Sequence, residues 1–210
     1  ITVRKEETKK KLAISCDNQP FIAKAPLILI FLADYSKWYK YYEVNGVREF
    51  QKDRGETFAG PSAGSFVLAV QDAVIAAENA VIAAESLGIG SCYIGDIMEQ
   101  KEYHKTLFNL PEYVFPVAML TLGYYPEDYM VPLKERFAEK YVVFEERYNE
   151  LSKEDIDDMF RKRDQLFTAK NKYNAKNYAQ MHYNFKVKAP FSKEMQRSVE
   201  EALKEWDKKE

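Results

Sequence analysis

Cysteine and histidine are scarce in this chain. Cys16 and Cys92 are the only cysteines in 210 residues, and His104 and His182 the only histidines. Two cysteines make neither a disulfide framework nor zinc-finger spacing, and they suit a reducing, cytoplasmic compartment. Neither histidine sits in a metal-ligating cluster, so no metal site is expected. His104 reads as a helix residue of core or surface rather than as a catalyst. No G-x-S-x-G, H-E-x-x-H or P-loop pattern occurs, which removes three familiar hydrolytic and nucleotide-cleaving signatures. No signal peptide, internal repeat or low-complexity tract is expected, and no apolar run is expected to cross a bilayer. Excess charge of one sign is also missing: 31 Lys and Arg stand against 33 Asp and Glu, for a net charge of -2. No global field therefore draws nucleic acid or an anionic membrane. The aromatics of residues 35–42 could stack bases, but they lack the accompanying basic excess and read better as interface packing.

What is present is a chain long enough to bury about 70% of its unfolded surface without staples. Residues 27–33, L-I-L-I-F-L-A, follow Ala25-Pro26 as an unbroken apolar run of strand length, and residues 115–123, F-P-V-A-M-L-T-L-G, form a second. Runs like these are strands covered on both faces. Residues 1–3 read as a strand, 5–12 as a short charged helix, 55–64 as a glycine-containing loop and 99–108 as a helix. From residue 65 to 87 the apolar positions cover nearly the whole circumference, which predicts a long helix buried in a core or subunit interface. Ser152, with Asp155 three residues on, predicts a capped helix after 152. Ser192 is expected to cap a last helix whose stripe is Met195, Val199, Ala202, Leu203 and Trp206. Helices and strands interleave without a regular βαβ rhythm, so the fold class is α+β.

The most informative stretch is residues 76–97, A-A-E-N-A-V-I-A-A-E-S-L-G-I-G-S-C-Y-I-G-D-I. An alanine-rich helix allows close approach, and the glycines after it can present bare backbone N–H groups to a flat ligand. Gly88-Ile89-Gly90 is not a dinucleotide fingerprint, because Tyr93 occupies the third glycine position and the motif ends a helix instead of opening one. Taken alone, these glycines read as helix caps. Gly95 offers a further backbone N–H, of the kind that tunes a flavin ring. Lys134 and Arg136, two apart in an extended segment, would share one face with Glu135 opposite, and a cationic pair of that kind suits a phosphate. As a bare motif K-x-R is more often solvated surface.

In order, residues 76–97, then L-P-E-Y-V-F-P-V-A-M-L-T-L-G-Y-Y-P at 110–126, then Lys134-x-Arg136 resemble the nitroreductase family of FMN-dependent oxidoreductases. The likeness runs from about residue 1 to 137. It implies an α/β/α sandwich with a mostly antiparallel sheet and an intertwined homodimer that holds FMN at its interface. By that resemblance the backbone of Tyr93, Ile94 and Gly95 would line the flavin, and Lys134 and Arg136 would hold its phosphate. Asp96 stands where many relatives have a second glycine. The arginine- and serine-rich segment with which the family usually begins would precede Ile1.

The expected activity is reduction of nitroaromatic, quinone or related small-molecule acceptors by NAD(P)H, with FMN as cofactor, ping-pong kinetics and no side-chain acid or base. Reductive dehalogenation is a related option. A non-catalytic flavin-binding protein and a cofactor-free dimeric interaction domain are the alternatives. Residues 1–147 are expected to form the flavin-binding core. Residues 148–210 would form a helical extension that wraps a partner subunit.

Overall fold

The computed structural model describes residues 1–130 and 133–207. In chain order its elements are β1 (Thr2–Val3), α1 (Glu6–Ser15), α2 (Pro20–Lys24), β2 (Leu27–Asp34), α3 (Ser36–Val44), α4 (Val47–Asp53), α5 (Ala63–Ser86) and β3 (Ile89–Ile94). A 3-10 turn (Gly95–Met98) follows, then α6 (Lys101–Phe108), β4 (Val114–Tyr124), a second 3-10 turn (Glu139–Tyr141), α7 (Lys153–Gln165), α8 (Tyr178–Lys186) and α9 (Pro190–Trp206). They form two compact units. The first comprises Ile1–Glu127 with Lys193–Glu210, and the second Asp128–Ser192. The expected division at 147/148 thus falls inside the second unit, and most of the last helix belongs to the first.

The first unit is built on one antiparallel sheet of strand order β1-β2-β4-β3. Alternation along β2 shows why residues 27–33 are all apolar. Ile28 and Ile30 pack with Leu12, Cys16 and Ile22 of the α1–α2 layer, whereas Leu29, Phe31 and Ala33 turn toward the opposite layer of α5 and α9. With helices on both faces, residues 27–33 leave no position for a polar side chain, and only Asp34 at the strand's end is polar. This three-layer arrangement matches the α+β sandwich expected from the sequence.

Strand β4 contains Pro116, which a central strand normally excludes. A register shift explains its place: Phe31 pairs with Ala118 and Leu32 with Pro116, so Val117 is the extra residue of a bulge. The bulge also changes the phase of the strand. Before it Phe115 and Val117 face the α5–α9 layer; after it Leu120 and Leu122 face α5 and Met119 faces the α1 layer.

Helix α5 begins with a reciprocal cap: Ser65 N–H donates to Ser62 Oγ and Ser62 N–H to Ser65 Oγ, both at 3.3 Å. Its buried stripe, Phe66, Ala73, Ala77 and Ala84, lies on the sheet. Of the two settings expected for it, a core or a subunit interface, the core of this chain covers only that stripe, and Val67, Leu68, Val74, Ile75 and Ile82 are exposed. A correction concerns apolar length. Ala63–Ser86 does have the length and composition of a membrane span, which was not expected. Alanine raises its apolar content without adding bulk, and contacts with β2, β3 and β4 account for the helix as a sheet-packing element.

Two helix starts also differ from expectation. Gln100 takes a left-handed conformation, φ 48°, so α6 starts at Lys101 rather than at residue 99. Helix α9 starts at Pro190, whose ring presets a helical φ, so Ser192 lies inside the helix instead of capping it. On α9, Ser198, Ala202 and Trp206 are buried at helical spacing. The Trp206 ring meets Phe66 edge-on at 5.0 Å. This helix therefore covers its own sheet, which corrects the expectation that both C-terminal helices wrap a partner.

The second unit carries α7 and α8. The expected cap at Ser152 is present: Asp155 N–H donates to Ser152 Oγ at 3.1 Å, and Ser152 N–H to Asp155 Oδ2 at 3.1 Å. Helix α8 arises in a stretch with no sequence period, opened by Asn177 Oδ1 accepting from Gln180 N–H at 2.9 Å. Tyr141 is the only buried residue among those described in this unit.

Candidate functional site

Strand β3 is the sheet's edge, paired on one side with β4. An edge strand leaves backbone donors and acceptors on its outer side. Ile94 at its end and Ile97 in the 3-10 turn are both sunk in the core beside Met119. The main chain between these two anchors is forced outward, and Gly95 sits at that point. A Cβ built on Gly95 would meet no atom within 4 Å. Gly95 also opens a 3-10 turn, where the first N–H groups have no partner within the turn. Exposed main chain without a side chain is therefore present at Gly95.

The other two glycines of the stretch have different work. Gly88 takes φ 71° directly after α5 and serves as its left-handed terminator. A Cβ on Gly90 would lie 2.5 Å from the Tyr125 ring, so an aromatic of the chain itself occupies that space. Gly88 and Gly95 both have open space beside them, and of these two Gly95 keeps an ordinary φ at the end of the strand. Tyr93 is exposed, and its hydroxyl donates to Glu78 Oε2 on α5 at 3.2 Å. Beside β3 lies a cavity of about 270 Å³, bounded by Phe21, Pro26, Gly90, Cys92, Thr121 and Tyr125.

Behind the Tyr93–Gly95 bend lies a polar cluster that the sequence did not disclose. Gln19 Nε2 donates both to Asp96 Oδ2 at 2.7 Å and to the Cys16 carbonyl at 2.8 Å. His104 is fully buried, its Nε2 2.8 Å from Ser15 Oγ, and desolvation holds its pKa below the ordinary value. It is thus a core histidine. Burial also pushes the Cys16 thiol up to about 12, which makes it inert at neutral pH. Glu99, 5% exposed, has its carboxyl raised to about 8, first by desolvation and then by the neighbouring Asp96. Only tertiary packing creates this cluster; Gln19 lies in a plain turn motif and Glu99 in an expected helix, so no local signal could have marked them.

Lys134 and Arg136 lie in the second unit, and Tyr93, Ile94 and Gly95 in the first. Both cations are exposed on irregular chain and form no ion pair among the described residues. Glu135 between them is drawn off by an ion pair with Lys162. With Arg163, Phe137 and Tyr178 they border a cavity of about 600 Å³ within that unit. Two unpaired cations with the intervening carboxylate neutralised suit an anion such as a phosphate. Pro132, which precedes this motif, lies outside the described residues.

Comparison with known proteins follows the same outline. A family model described as the Nitroreductase family matches residues 2–124. The chain is 30% identical over 151 residues to a protein named FMN reductase (NADPH) from Bacillus subtilis (strain 168), covering 71% of this chain and 56% of that protein. It is 30% identical over 123 residues to a Cr(VI) reductase from Pseudomonas sp. (strain G-1), covering 59% and 47% respectively. The chain therefore spans about half the length of the curated relatives it matches. Among solved structures, NfrA2 of B. megaterium superposes with a TM-score of 0.77 at 31% identity, covering all of this chain and 80% of that one. With the family model matching more than half of its length, this chain belongs to the nitroreductase family.

Proposed function

We propose that the protein is an FMN-dependent oxidoreductase using NAD(P)H. The observation that carries the reading is the Gly95 bend, where open main chain is held outward by Ile94 and Ile97 on an edge strand, in a chain similar to a protein named FMN reductase. The backbone of Tyr93, Ile94 and Gly95 lines the flavin, and Lys134 with Arg136 holds its phosphate. Bound there, FMN supplies the hydride chemistry, and no side chain of this chain need act as acid or base. NAD(P)H and a small acceptor, a nitroaromatic, a quinone or a flavin, use one ring face in turn, so the kinetics are ping-pong.

The working form is a homodimer in the cytoplasm. Support for the dimer comes from α5, whose outer face exposes Val67, Leu68, Val74, Ile75 and Ile82. An apolar stripe of that length marks an interaction surface.

The test is a flavin titration of the full chain followed by rapid mixing with NADH or NADPH. Co-eluting yellow protein that bleaches with reductant supports the reading. Yellow protein that does not bleach indicates a non-catalytic flavin binder, and colourless protein a cofactor-free dimeric domain. Lys134→Ala with Arg136→Ala is expected to weaken FMN retention by at least about tenfold, near 1.4 kcal/mol. Unchanged retention removes those two residues from the site.

A further inference from the structure

Gly95 has no side chain to hold it, so the two peptide planes that meet at its Cα are set by what holds its neighbours. On one side Ile94 is buried and pairs with Met119 of β4. On the other side stands Asp96, half-buried, whose Oδ2 accepts a hydrogen bond from Gln19 Nε2 at 2.7 Å. The same Nε2 donates to the Cys16 carbonyl at 2.8 Å. Both partners are acceptors, so the Gln19 amide turns its NH2 end to them and uses both of its N–H groups there.

Gln19 is itself fixed. Its N–H donates to the Ala13 carbonyl at 2.8 Å, and its carbonyl accepts from Ile22 N–H at 3.1 Å. Asp17 and Asn18 before it both take left-handed conformations, φ 58° and 52°, which bring Gln19 back to the end of α1. One side chain thus carries the position of α1 to Asp96. The far end of the segment is held separately. Gln100 Nε2 donates to the Ser15 carbonyl at 3.0 Å, Gln100 N–H to Glu194 Oε1 at 3.1 Å, and Lys101 N–H to the buried Ser198 Oγ at 3.1 Å. Within the turn, Glu99 N–H donates to the Asp96 carbonyl at 3.0 Å. A four-residue 3-10 turn has poorer internal hydrogen bonds than an α-helix and depends on such outside contacts. Next to Gly95 that contact is the Gln19–Asp96 bond.

We propose that Gln19 and Asp96 are positioning residues, a clamp that sets the orientation of the Gly95 main chain and so the surface on which a flavin ring rests. A carboxylate acceptor makes the bond charge-assisted, stronger than one between neutral groups. With it in place both neighbours of Gly95 are held, Ile94 by burial and Asp96 by Gln19. Without it Asp96 turns toward solvent, and Gly95 samples the wide range of conformations open to a glycine. The consequence for the flavin rests on the FMN reading; the clamp and its effect on Gly95 do not.

The experiment uses the full chain without flavin, then with FMN as the probe. Gln19→Leu removes the donor, Asp96→Ala removes the acceptor, and Asp96→Asn keeps an acceptor oxygen in the same place. In the flavin-free chain the Gly95 amide resonance is expected to shift and broaden in Gln19→Leu and Asp96→Ala alike, and to stay near its wild-type position in Asp96→Asn. FMN affinity should drop about tenfold in the first two variants, the scale of one charge-assisted hydrogen bond, and recover in Asp96→Asn. Gln19→Leu combined with Asp96→Ala should lose no more affinity than either alone, because each single change already breaks the same bond. Gln19→Leu also frees the Cys16 carbonyl; if that variant does not fold, the two Asp96 variants carry the test, since Asp96 is half-buried on a turn. A Gly95 resonance unmoved in Asp96→Ala overturns the clamp, as does an Asp96→Asn variant that behaves like Asp96→Ala. If the resonance responds as expected while FMN binds neither wild type nor variant, the clamp stands and the FMN assignment falls.

Discussion

The two units of this chain are stabilised in different ways. Among the described residues, every buried apolar side chain apart from Tyr141 belongs to the first unit. There, hydrophobic burial on both faces of a sheet supplies the stability. The second unit is held by local chemistry: the Ser152 and Asn177 caps, the Tyr141–Asp158 hydrogen bond, the Lys162–Glu135 pair, and Arg163 over the Phe137 ring at 4.4 Å. Each such contact contributes about 1 kcal/mol or less when exposed, which is too little to order 65 residues against their conformational entropy. Leu133, Tyr148, Leu166 and Val187 meanwhile stay exposed. The contrast separates a unit with a buried apolar core from one whose described apolar groups, Tyr141 apart, are exposed or half-buried.

The strongest challenge to this contrast is Trp206→Ala. Trp206 is 1% exposed and packs against Phe66, Tyr35 and Tyr113. Its loss is expected to destabilise the chain by about 3–5 kcal/mol in urea unfolding. The matching change in the second unit, Tyr183→Ala, should cost under about 1 kcal/mol, because that ring is half exposed. Similar losses for the two variants would abolish the distinction.

Next in size is the outer face of α5. Leu68→Glu with Ile75→Glu places two charges on the exposed stripe and leaves Phe66, Ala73, Ala77 and Ala84 in place. If the face is a dimer seam, sedimentation should show dissociation with an unchanged far-ultraviolet spectrum. Dimers that persist would move the subunit contact elsewhere, with the exposed apolar groups of the second unit as the next place to look.

How far the sequence discloses each unit follows from the same physics. Strands β2 and β4 are readable because burial on both faces forces an unbroken apolar run, and the Ser152 cap because its donors and acceptors lie three residues apart. Gly95 stands out in the sequence because a glycine leaves its main chain without a side chain, although neither a close contact nor a positive φ requires one there. By contrast, periodicity shows that α9 is amphipathic without naming the surface it covers, and its return to Phe66 is a long-range fact. The Val117 bulge leaves no mark beyond Pro116. The Glu99 cluster joins residues from α1, the 3-10 turn, α6 and α9, and no segment alone contains the pattern.

A smaller effect is expected at the Ser152 cap. Ser152→Ala removes the acceptor for Asp155 N–H and leaves the first turn of α7 unsatisfied, at a cost of about 1 kcal/mol. If the second unit is held by local contacts, faster amide exchange should be confined to α7 and its neighbours, with β2 and β4 unaffected. Exchange that rises in the sheet as well would show that the two units unfold together.

The smallest effect lies on the surface of the first unit and tests whether charge matters there beside burial. Arg197 binds Glu102 at 2.8 Å and Glu194 at 2.7 Å, and the Glu102 carboxyl is held down at about 2, chiefly by its hydrogen bond to Arg197. A depressed carboxyl adds stability that is complete above the unfolded value of 4.5 and is lost as pH falls toward 2. Arg197→Ala should therefore weaken the protein most at neutral pH, and the difference from wild type should vanish near pH 2. Because these side chains are largely solvated, salt should shrink the difference further. A variant that loses as much stability at pH 2 as at pH 7 would show that Arg197 acts through packing of its aliphatic stem on α6, which would extend burial as the dominant force even to the rim of this unit.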